Sequence, residues 1–347
     1  MLLRMGGFFS TILSLFLKNL VALQKTTNVL LEVKHLKKYF KTKGGLLHAV
    51  DDVSFTIGEG KTLGVVGESG CGKSTLGRTI LGLLDATDGE VWFNGEEVSR
   101  AKGRKWTELR KEMQIIFQDP MASLNPRFTV PECIAEPLKI FKICKSKKEL
   151  DERVLELMHT VGLDERLYTS YPHELDGGRR QRIGIARALA LMPKFIVCDE
   201  PVSALDVSIQ AQILNLLQDL QRERKIAYIF VTHDMSVVKH ISDDILVMYL
   251  GCMAEKSEAK ELFRHPLHPY TKGLLSAIPI PDITVERKRV VMQGEISSPV
   301  NPKPGCRFAK RCPYAKDICF AEQPAFKEEL PDHFVACHFC REINDLD

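Results

Sequence analysis

The sequence predicts an α/β fold in which a parallel sheet carries a phosphate-binding loop. Three stretches indicate this fold: Thr62–Thr75 (TLGVVGESGCGKST), Phe195–Glu200 (FIVCDE) and Ala227–Asp234 (AYIFVTHD). Each opens with a short apolar run, which is typical of a strand buried on both faces of a parallel sheet. Each then ends in glycine or polar residues, and ligands of open α/β sheets collect at such strand ends.

The first 28 residues stand apart from this pattern. They contain no Asp or Glu, and the uncharged run Met5–Leu17 is too short to span a bilayer. No small-residue cleavage site follows, which argues against a secretory signal. An interfacial helix and an over-called start codon or frayed extension both remain open.

Two strand-like runs, Val29–Val33 and Val50–Ile57, precede the phosphate loop. Tyr39 and Phe40 lie between them, and an aromatic ring here could stack on a nucleotide base through its π face. Packing in a β-rich edge is the alternative for both rings.

The glycine-rich turn predicts nucleotide binding. Its glycines let the backbone approach an anion, and the exposed amides and helix N-terminus cradle phosphates. Lys73 would reach the terminal phosphates, and the Ser74 hydroxyl would bind Mg²⁺. The residues expected at the nucleotide are Gly67, Glu68, Ser69, Gly70, Cys71, Gly72, Lys73, Ser74 and Thr75.

The segment after the loop alternates between helix and strand. We predict a helix at Leu76–Leu84, a turn at Asp88-Gly89, and strands at Val91–Phe93 and Ile115–Phe117. Gln118 follows the second strand, where a polar side chain is well placed to touch a ligand, and we expect it to bind Mg²⁺ and to take part in catalysis.

A helical insertion is expected over residues 121–178, with helices near Val130–Ile143 and Glu149–Val161. At its end, Asp176 is a good N-cap for a further helix over Arg180–Leu191. Gly177 and Gly178 follow it and permit close backbone approach. This stretch is either a well-capped helix or a second helix N-terminus that faces phosphate.

Polar residues at the ends of the two later strands predict hydrolysis. Asp199 would hold Mg²⁺ through its water shell, and Glu200 would orient or deprotonate the attacking water. His233 stands at another strand terminus and is expected to sense the γ-phosphate. Asp206 follows in Ser203–Asp206, just before a helical stretch, and is also expected at the nucleotide.

The composition excludes some function classes and marks the tail. A net charge of +3 is too small to argue for nucleic acid binding. Ten cysteines are present, and five of them crowd the tail, where ten of the 17 prolines also lie after residue 265. A disulfide framework is unexpected in a chain that needs cellular ATP, so a metal site fits the tail better.

These motifs, taken together and in this order, resemble the ATP-binding subunit of an ABC transporter. The resemblance covers about residues 29–281 and assigns Gly67–Ser74 to Walker A, Gln118 to the Q-loop, Leu175–Arg179 to the signature, Phe195–Glu200 to Walker B, Ser203–Asp206 to the D-loop and His233 to the switch histidine. Phe40 matches the base-stacking aromatic of that family better than Tyr39 does. The stretches FQDPMASLNP, YPHE, VSIQAQ and HPYTKGLL resemble the dipeptide/oligopeptide (and nickel) importer branch, and within it the second of two non-identical ATPase subunits.

The resemblance implies an ATPase with an α/β P-loop core of RecA type, an antiparallel β subdomain and a helical subdomain. It also implies a head-to-tail dimer with a sister ATPase, in which each ATP lies between one subunit's Walker motifs and the other's signature. Closure on ATP would move two membrane-spanning permease subunits, served by an extracytoplasmic substrate-binding protein. The chain would then be peripheral at the cytoplasmic face of the membrane, with Gln118–Asn125 and the insertion meeting the permease.

The chain departs from the family at its signature, which usually reads Leu-Ser-Gly-Gly-Gln. Here Asp176 replaces the serine and Arg179 replaces the glutamine. An ionised Asp cannot donate a hydrogen bond to the γ-phosphate. We therefore expect that the site built on this chain's own Walker motifs is competent and that the site covered by Asp176 is slow.

The cysteine-rich tail also resembles the C-terminal element of peptide-importer ATPases, some of which bind a [4Fe–4S] cluster. Four thiolates suit iron–sulfur or zinc, and merely reduced thiols are the third alternative. Cys340 and His338 leave the fourth ligand open. The expected ligands are Cys306, Cys312, Cys319 and Cys337, whose C-x5-C-x6-C-x17-C spacing matches no common zinc pattern.

The expected organisation is an extension (1–28), an ATPase domain (29–265) and a Pro- and Cys-rich small C-terminal extension (266–347). The leading function is a motor for import of di- or oligopeptides. Nickel or another small solute as cargo, export, a soluble ABC ATPase outside transport, and a regulatory ATP-binding protein without turnover are alternatives. Intact Glu200 and His233 argue against the last.

Overall fold

The computed structural model of the chain describes residues 29–278, 292, 294 and 298–346. The expectations for residues 1–28 lie outside the described residues. Within these residues the strands, in chain order, are β1 (Val29–Thr42), β2 (Gly45–Gly58), β3 (Thr62–Val66), β4 (Asp88–Phe93), β5 (Glu96–Glu97), β6 (Met113–Ile116), β7 (Phe195–Asp199), β8 (Ala227–Val231), β9 (Asp244–Tyr249), β10 (Cys252–Glu258), β11 (Lys327–Leu330) and β12 (His333–Val335).

The helices of the same residues connect and cover these strands. They are α1 (Lys73–Ile80), α2 (Arg104–Glu112), α3 (Pro120–Ser123), α4 (Val130–Ile140), α5 (Lys147–Thr160), α6 (Gly177–Leu189), α7 (Val207–Arg224), α8 (Met235–Ile241), α9 (Ala259–Arg264), α10 (Pro269–Ser276), α11 (Asp317–Ala321) and α12 (Cys340–Ile343). Short 3₁₀ turns occur at Glu165–Thr169, Pro172–Glu174 and Ala309–Arg311.

The strands form two sheets. The smaller sheet is antiparallel, with the order β2-β1-β4-β5. The larger sheet has the order β11-β12-β10-β9-β3-β8-β7-β6, and its five strands from β9 to β6 run parallel. The antiparallel β subdomain and the parallel core that we expected are therefore both present.

The parallel strands are buried as their apolar sequences predict. All residues of β3, β7 and β8 are buried, so helices and the smaller sheet cover both faces. Because these three strands are neighbours and parallel, their carboxyl ends meet at one edge of the sheet. Phosphate loop, carboxylates and histidine follow those ends in the sequence.

The helical insertion packs as a unit beside the core. Helices α4, α5 and α6 share a hydrophobic cluster in which Ile134, Leu138, Val154 and Met158 are all buried. Thr129 and Glu132 form a capping box at the start of α4, which fixes where that helix begins. The insertion therefore has its own apolar centre, continuous with the core helices.

The tail adds strands to the central sheet. β12 pairs antiparallel with β10 through Glu255↔Val335 and Lys256↔Phe334, and β11 pairs with β12. The aromatic rings of Tyr249, Tyr270 and Phe308 pack within 4.7–5.4 Å of one another and join β9 to the tail. The tail is therefore attached to the sheet by hydrogen bonds as well as by apolar packing.

Some predicted boundaries are wrong. The helix expected to reach Leu84 ends at Ile80, because Gly82 takes a left-handed φ of 60° and turns the chain. Asp88-Gly89 is not a turn but the start of β4, where Asp88 pairs with Lys37 of β1. The helix expected to end at Ile143 ends at Ile140, before Lys142 with φ 50°.

Two further observations concern the tail and the membrane. All ten cysteines lie among the described residues, and all are free thiols there. In the part of the chain that the structure describes, no helix is both long and apolar enough to cross a bilayer.

Candidate functional site

The phosphate loop joins β3 to α1, and its glycines are required by close contacts. Gly67 and Gly72 have φ values of 151° and 106°. A Cβ at Gly67 would lie 2.2 Å from the Met248 carbonyl oxygen, and one at Gly72 only 1.9 Å from the Ala49 carbonyl oxygen. A side chain at either position would displace backbone, so the sequence keeps the loop tight with glycine.

Lys73 is held inside the loop that it follows. Only 5% of the residue is exposed, and its Nζ donates to the carbonyl oxygens of Gly67 at 2.8 Å and Glu68 at 3.0 Å. These neutral acceptors hold the ammonium without cancelling its charge. The group is therefore placed to meet an anion that enters the loop.

Two residues of the loop direct their side chains elsewhere. The Glu68 carboxylate accepts two hydrogen bonds from Arg311, at 2.6 and 3.0 Å, and its backbone N–H donates to Tyr270 Oη at 2.8 Å. The Cys71 sulfur is buried 3.9 Å from Lys73 Nζ, and burial raises the pKa of this thiol. The side chains of Glu68 and Cys71 therefore shape the loop rather than its cavity.

Ser74 and Asp199, the two residues expected to bind a cation, are in direct contact. The Ser74 hydroxyl donates to Asp199 Oδ1 at 2.6 Å, and an Arg78 guanidinium nitrogen lies 3.3 Å from the other carboxylate oxygen. Asp199 is 1% exposed at the end of β7. Hydroxyl and carboxylate oxygens are the ligands that Mg²⁺ prefers, so the pair fits that ion.

Glu200 is placed by an unusual backbone conformation. It has a φ of 47°, which few non-glycine residues adopt, and its N–H donates to the Val231 carbonyl at 3.0 Å. Its Oε2 accepts a hydrogen bond from Gln118 Nε2 at 2.9 Å and lies 3.4 Å from His233 Nδ1. The chain thus brings together three polar side chains from the ends of three different strands.

Lys73, Ser74, Gln118, Glu200 and His233 all line one cavity of about 580 Å³, whereas the buried Asp199 does not. Phe40 lies on its wall, whereas Tyr39 stacks on His48 with ring centroids 3.9 Å apart and bonds to Asp51. The geometry therefore favours Phe40 over Tyr39 as the ring that would stack on a nucleotide base. The lining residues are Phe40, Leu47, His48, Ala49, Ser69, Gly70, Gly72, Lys73, Ser74, Thr75, Gln118, Glu200, His233, Gly251 and Pro299.

The Asp176 stretch does not line this cavity. Asp176 caps α6, accepting from the Arg179 N–H at 2.8 Å, as its sequence position predicts. A Cβ on Gly178 would lie 2.6 Å from Ile209, so the two-glycine turn packs tightly on α7. Asp206 caps α7 by accepting from the Ile209 N–H at 3.0 Å. Asp176, Gly177, Gly178 and Asp206 thus form a second group.

The tail cysteines form a third group. One small cavity is lined by all four of the expected cysteines and by His338, while Cys340 is buried outside it and contacts Asn344. Burial raises the pKa of Cys306 to about 12 and that of Cys337 to about 11. Among the described residues, no set of three or more His, Cys, Asp or Glu side chains is positioned to hold a metal ion.

The tail also contacts the cavity lined by Lys73 and Glu200 and the loop beside it. The sequence did not predict these contacts. Pro299 lines it, and its carbonyl accepts from the His48 N–H at 3.0 Å. Arg307 forms an ion pair with Asp51, and Arg311 with Glu68. Nothing in GCRFAKRC distinguishes Arg311 from its basic neighbours, because its partner lies 243 residues away in the sequence.

Comparison with known proteins shows which protein families this chain matches. Residues 50–203 match the family described as ABC transporter, and residues 254–319 match the oligopeptide/dipeptide transporter C-terminal region. The oligopeptide transport ATP-binding protein OppF of Bacillus subtilis is 54% identical, covering 90% of this chain and 97% of the relative. OppF of Escherichia coli is 51% identical, covering 91% of this chain and 98% of the relative.

A solved structure shares the core. The chain is 31% identical, with a TM-score of 0.61, to the ATP-binding cassette MJ0796 in a dimeric post-hydrolysis state bound to ADP and Pi. The match covers 66% of this chain and 98% of that structure.

Proposed function

Since the chain belongs to the family of oligopeptide ABC-transporter ATP-binding proteins, we propose that it hydrolyses ATP to power peptide import through a membrane transporter. One observation carries the proposal. Glu200, with Gln118 and His233 against its carboxylate, lines the same cavity as Lys73 and Ser74. This arrangement holds a triphosphate and a water-activating carboxylate together.

The residues divide the chemistry between them. Lys73 and the loop amides would bind the β- and γ-phosphates, and Phe40 would stack on the base. Ser74 and Asp199 would hold Mg²⁺, which neutralises charge on the phosphates. Glu200 would orient or deprotonate the attacking water, and Gln118 and His233 keep its carboxylate facing the γ-phosphate position.

The peptide cargo and the membrane partners are inferred from relatives that are named oligopeptide transport proteins. An apolar groove beside the edge strand β6 is a suitable docking site for a segment of the permease. It lies between Phe117 and α4, contains Leu83 and Ile140, and Ile140 is 67% exposed. We therefore place the chain at the cytoplasmic membrane face, with two permease subunits and an extracytoplasmic binding protein.

Purification of the native complex tests this function. We expect a tagged chain to copurify from solubilised membranes with two integral membrane proteins and a second ATPase. Reconstituted vesicles should import peptide only when ATP is supplied on the side of this chain. A chain that never associates with integral membrane proteins would contradict the proposal.

The separate position of the Asp176 group supports a head-to-tail dimer with a sister ATPase. Asp176, Gly177 and Gly178 do not line the chain's own cavity, so they are available to cover ATP held by the partner. The relative with the solved cassette structure is itself dimeric. Asp176 would then face the γ-phosphate of the partner's nucleotide, with Arg179 3.4 Å away offsetting part of its charge.

Replacing Asp176 with Ser is expected to accelerate the covered site. The variant is made together with Glu200→Gln, so that the remaining ATP turnover belongs to that site. Like charges about 4 Å apart repel by roughly 4 kcal/mol at an effective dielectric near 20. Because 58% of the Asp176 side chain is exposed, solvent weakens this effect, and we expect a rise of roughly tenfold.

Asp176→Asn is the matched control, because Asn caps helices as well as Asp does but carries no charge. A rise with both variants would assign the slow rate to charge, and a rise with Ser alone to the missing hydroxyl donor. Unchanged phosphate release with both variants would contradict the proposed asymmetry.

We propose that Cys306, Cys312, Cys319 and Cys337 bind a [4Fe–4S] cluster, with zinc as the alternative. Four thiols around one cavity suit either.

Anaerobic purification tests this metal assignment. We expect a brown protein with stoichiometric iron and sulfide, and loss of both when Cys312 is replaced by Ser. Cys144→Ser is the control, because Cys144 lies far from the tail cavity in sequence and does not line it. Zinc without iron, or no metal, would contradict the cluster.

We also propose the division into an ATPase domain (29–265, with the helical subdomain near 121–178) and a C-terminal extension (266–347). The family matches support it, since one lies within the first part and the other continues into the second. This division is functional rather than structural, because β11 and β12, which lie in the extension, are strands of the central sheet.

A further inference from the structure

The phosphate loop contains a carboxylate whose negative charge would repel the phosphates of ATP. Glu68 lies between Gly67 and Ser69, within the turn that must receive the negative phosphates of ATP. Its side chain is 21% exposed, so solvent screens its charge only in part. An unpaired carboxylate here would weaken ATP binding by repulsion.

The tail supplies the opposite charge. Arg311 is 7% exposed and gives Glu68 two hydrogen bonds, from Nη1 at 2.6 Å and Nη2 at 3.0 Å. Such a bidentate contact fixes the orientation of the carboxylate and also neutralises its charge. The guanidinium is itself fixed, since Nη1 lies 3.4 Å from Tyr249 Oη and its centre lies 5.8 Å from the Tyr249 ring.

A second contact from the tail fixes the backbone of the same residue. Tyr270 is fully buried at the start of α10, and its Oη accepts the Glu68 N–H. This amide is therefore engaged with the tail. Both the charge and the backbone of Glu68 are thus set by residues beyond the ATPase motifs.

We infer that Arg311 is a positioning residue for the nucleotide site, which neutralises Glu68 and holds it away from the phosphates. The inference rests on the proposed ATP site. It makes the cysteine-rich tail a working part of that site, because Arg311 lies between Cys306 and Cys312 in the 3₁₀ turn Ala309–Arg311. A change at the tail cavity and a change in ATP affinity are then linked in both directions.

Binding of a fluorescent ATP analogue to the full chain tests this role. We expect Arg311→Gln to weaken binding by roughly tenfold, because Glu68 becomes unpaired. Arg311→Lys keeps the charge and should bind nearly as well as the unmodified chain. The double variant Arg311→Gln/Glu68→Gln should recover most of the affinity, since it removes the repelling charge as well.

Recovery in the double variant is the result that separates neutralisation from a merely structural role. If Arg311 only stabilised the fold, removing Glu68 as well would not restore binding. Lys310→Ala is the matched control, since Lys310 is the adjacent cation and is exposed; it should change nothing. Thermal unfolding without nucleotide is measured for every variant.

The outcomes are distinct. Failure of the unmodified chain to bind the analogue would contradict the proposed ATP site itself. Normal binding by Arg311→Gln, or weak binding that the second substitution does not restore, would overturn the inference about Arg311 and leave the ATP site standing.

Discussion

Replacing Glu200 with Gln is expected to lower ATP turnover by the assembled transporter by roughly 10²- to 10⁴-fold, the usual loss when a general base is removed. Gln preserves the shape of the side chain and can still accept the hydrogen bond from Gln118. It cannot take a proton from water. Little turnover should remain elsewhere, because the site covered by Asp176 is proposed to be slow. Phosphate release at saturating ATP measures the effect.

The same variant should bind ATP normally, because Lys73 and Ser74 are unchanged. Glu223→Gln is the control, since this substitution makes the same chemical change at an exposed position of α7. Turnover by Glu200→Gln equal to that of the Glu223 control would remove Glu200 from the mechanism.

Replacing Lys73 with Ala is expected to weaken ATP binding by roughly 100-fold. A hydrogen bond to a charged group contributes about 1.5–3 kcal/mol, and roughly 2.7 kcal/mol corresponds to this factor. The lysine is buried among neutral carbonyl oxygens, so its charge is available to phosphate. Equilibrium binding of a fluorescent ATP analogue to the full chain measures the loss.

Lys148→Ala controls for the loss of one positive charge, because the Lys148 side chain is 87% exposed on α5. Unfolding temperatures without nucleotide should be similar for both variants, since Lys73 contacts backbone carbonyl oxygens and makes no ion pair with any residue that the structure describes. Unaltered affinity in Lys73→Ala would show that the loop is not the phosphate site.

Sequence was sufficient where the information is local. The loop from Gly67 to Ser74 needs only a strand, three glycines and a helix start, so its geometry follows from consecutive residues. The placement of Asp199, Glu200 and His233 at one edge of the sheet was also predictable, because parallel strands must end at one edge. Asp176 and Asp206 were recognisable as helix caps or motif residues for the same local reason.

Sequence was insufficient where partners are remote. Arg311 and Tyr270 act on Glu68 from more than 200 residues away, and no periodicity connects them. The resemblance already favoured Phe40 over Tyr39, but the contacts of Tyr39 with His48 and Asp51 across the hairpin could not be predicted from the sequence. The helix ends near Leu84 and Ile143 were misplaced because single left-handed residues end helices against propensity.

The pairing of β12 with β10 affects how the protein can be divided. A polypeptide that stopped after the ATPase motifs would leave the backbone amides and carbonyls along one side of β10 without partners. Unprotected edges of this kind recruit strands from other molecules and promote aggregation. Glu255, whose carboxylate accepts from Leu267, His268 and His333, would also lose buried partners that come only from downstream. We therefore expect residues 29–265 of this chain to depend on the tail for a covered sheet edge and for the partners of Glu255.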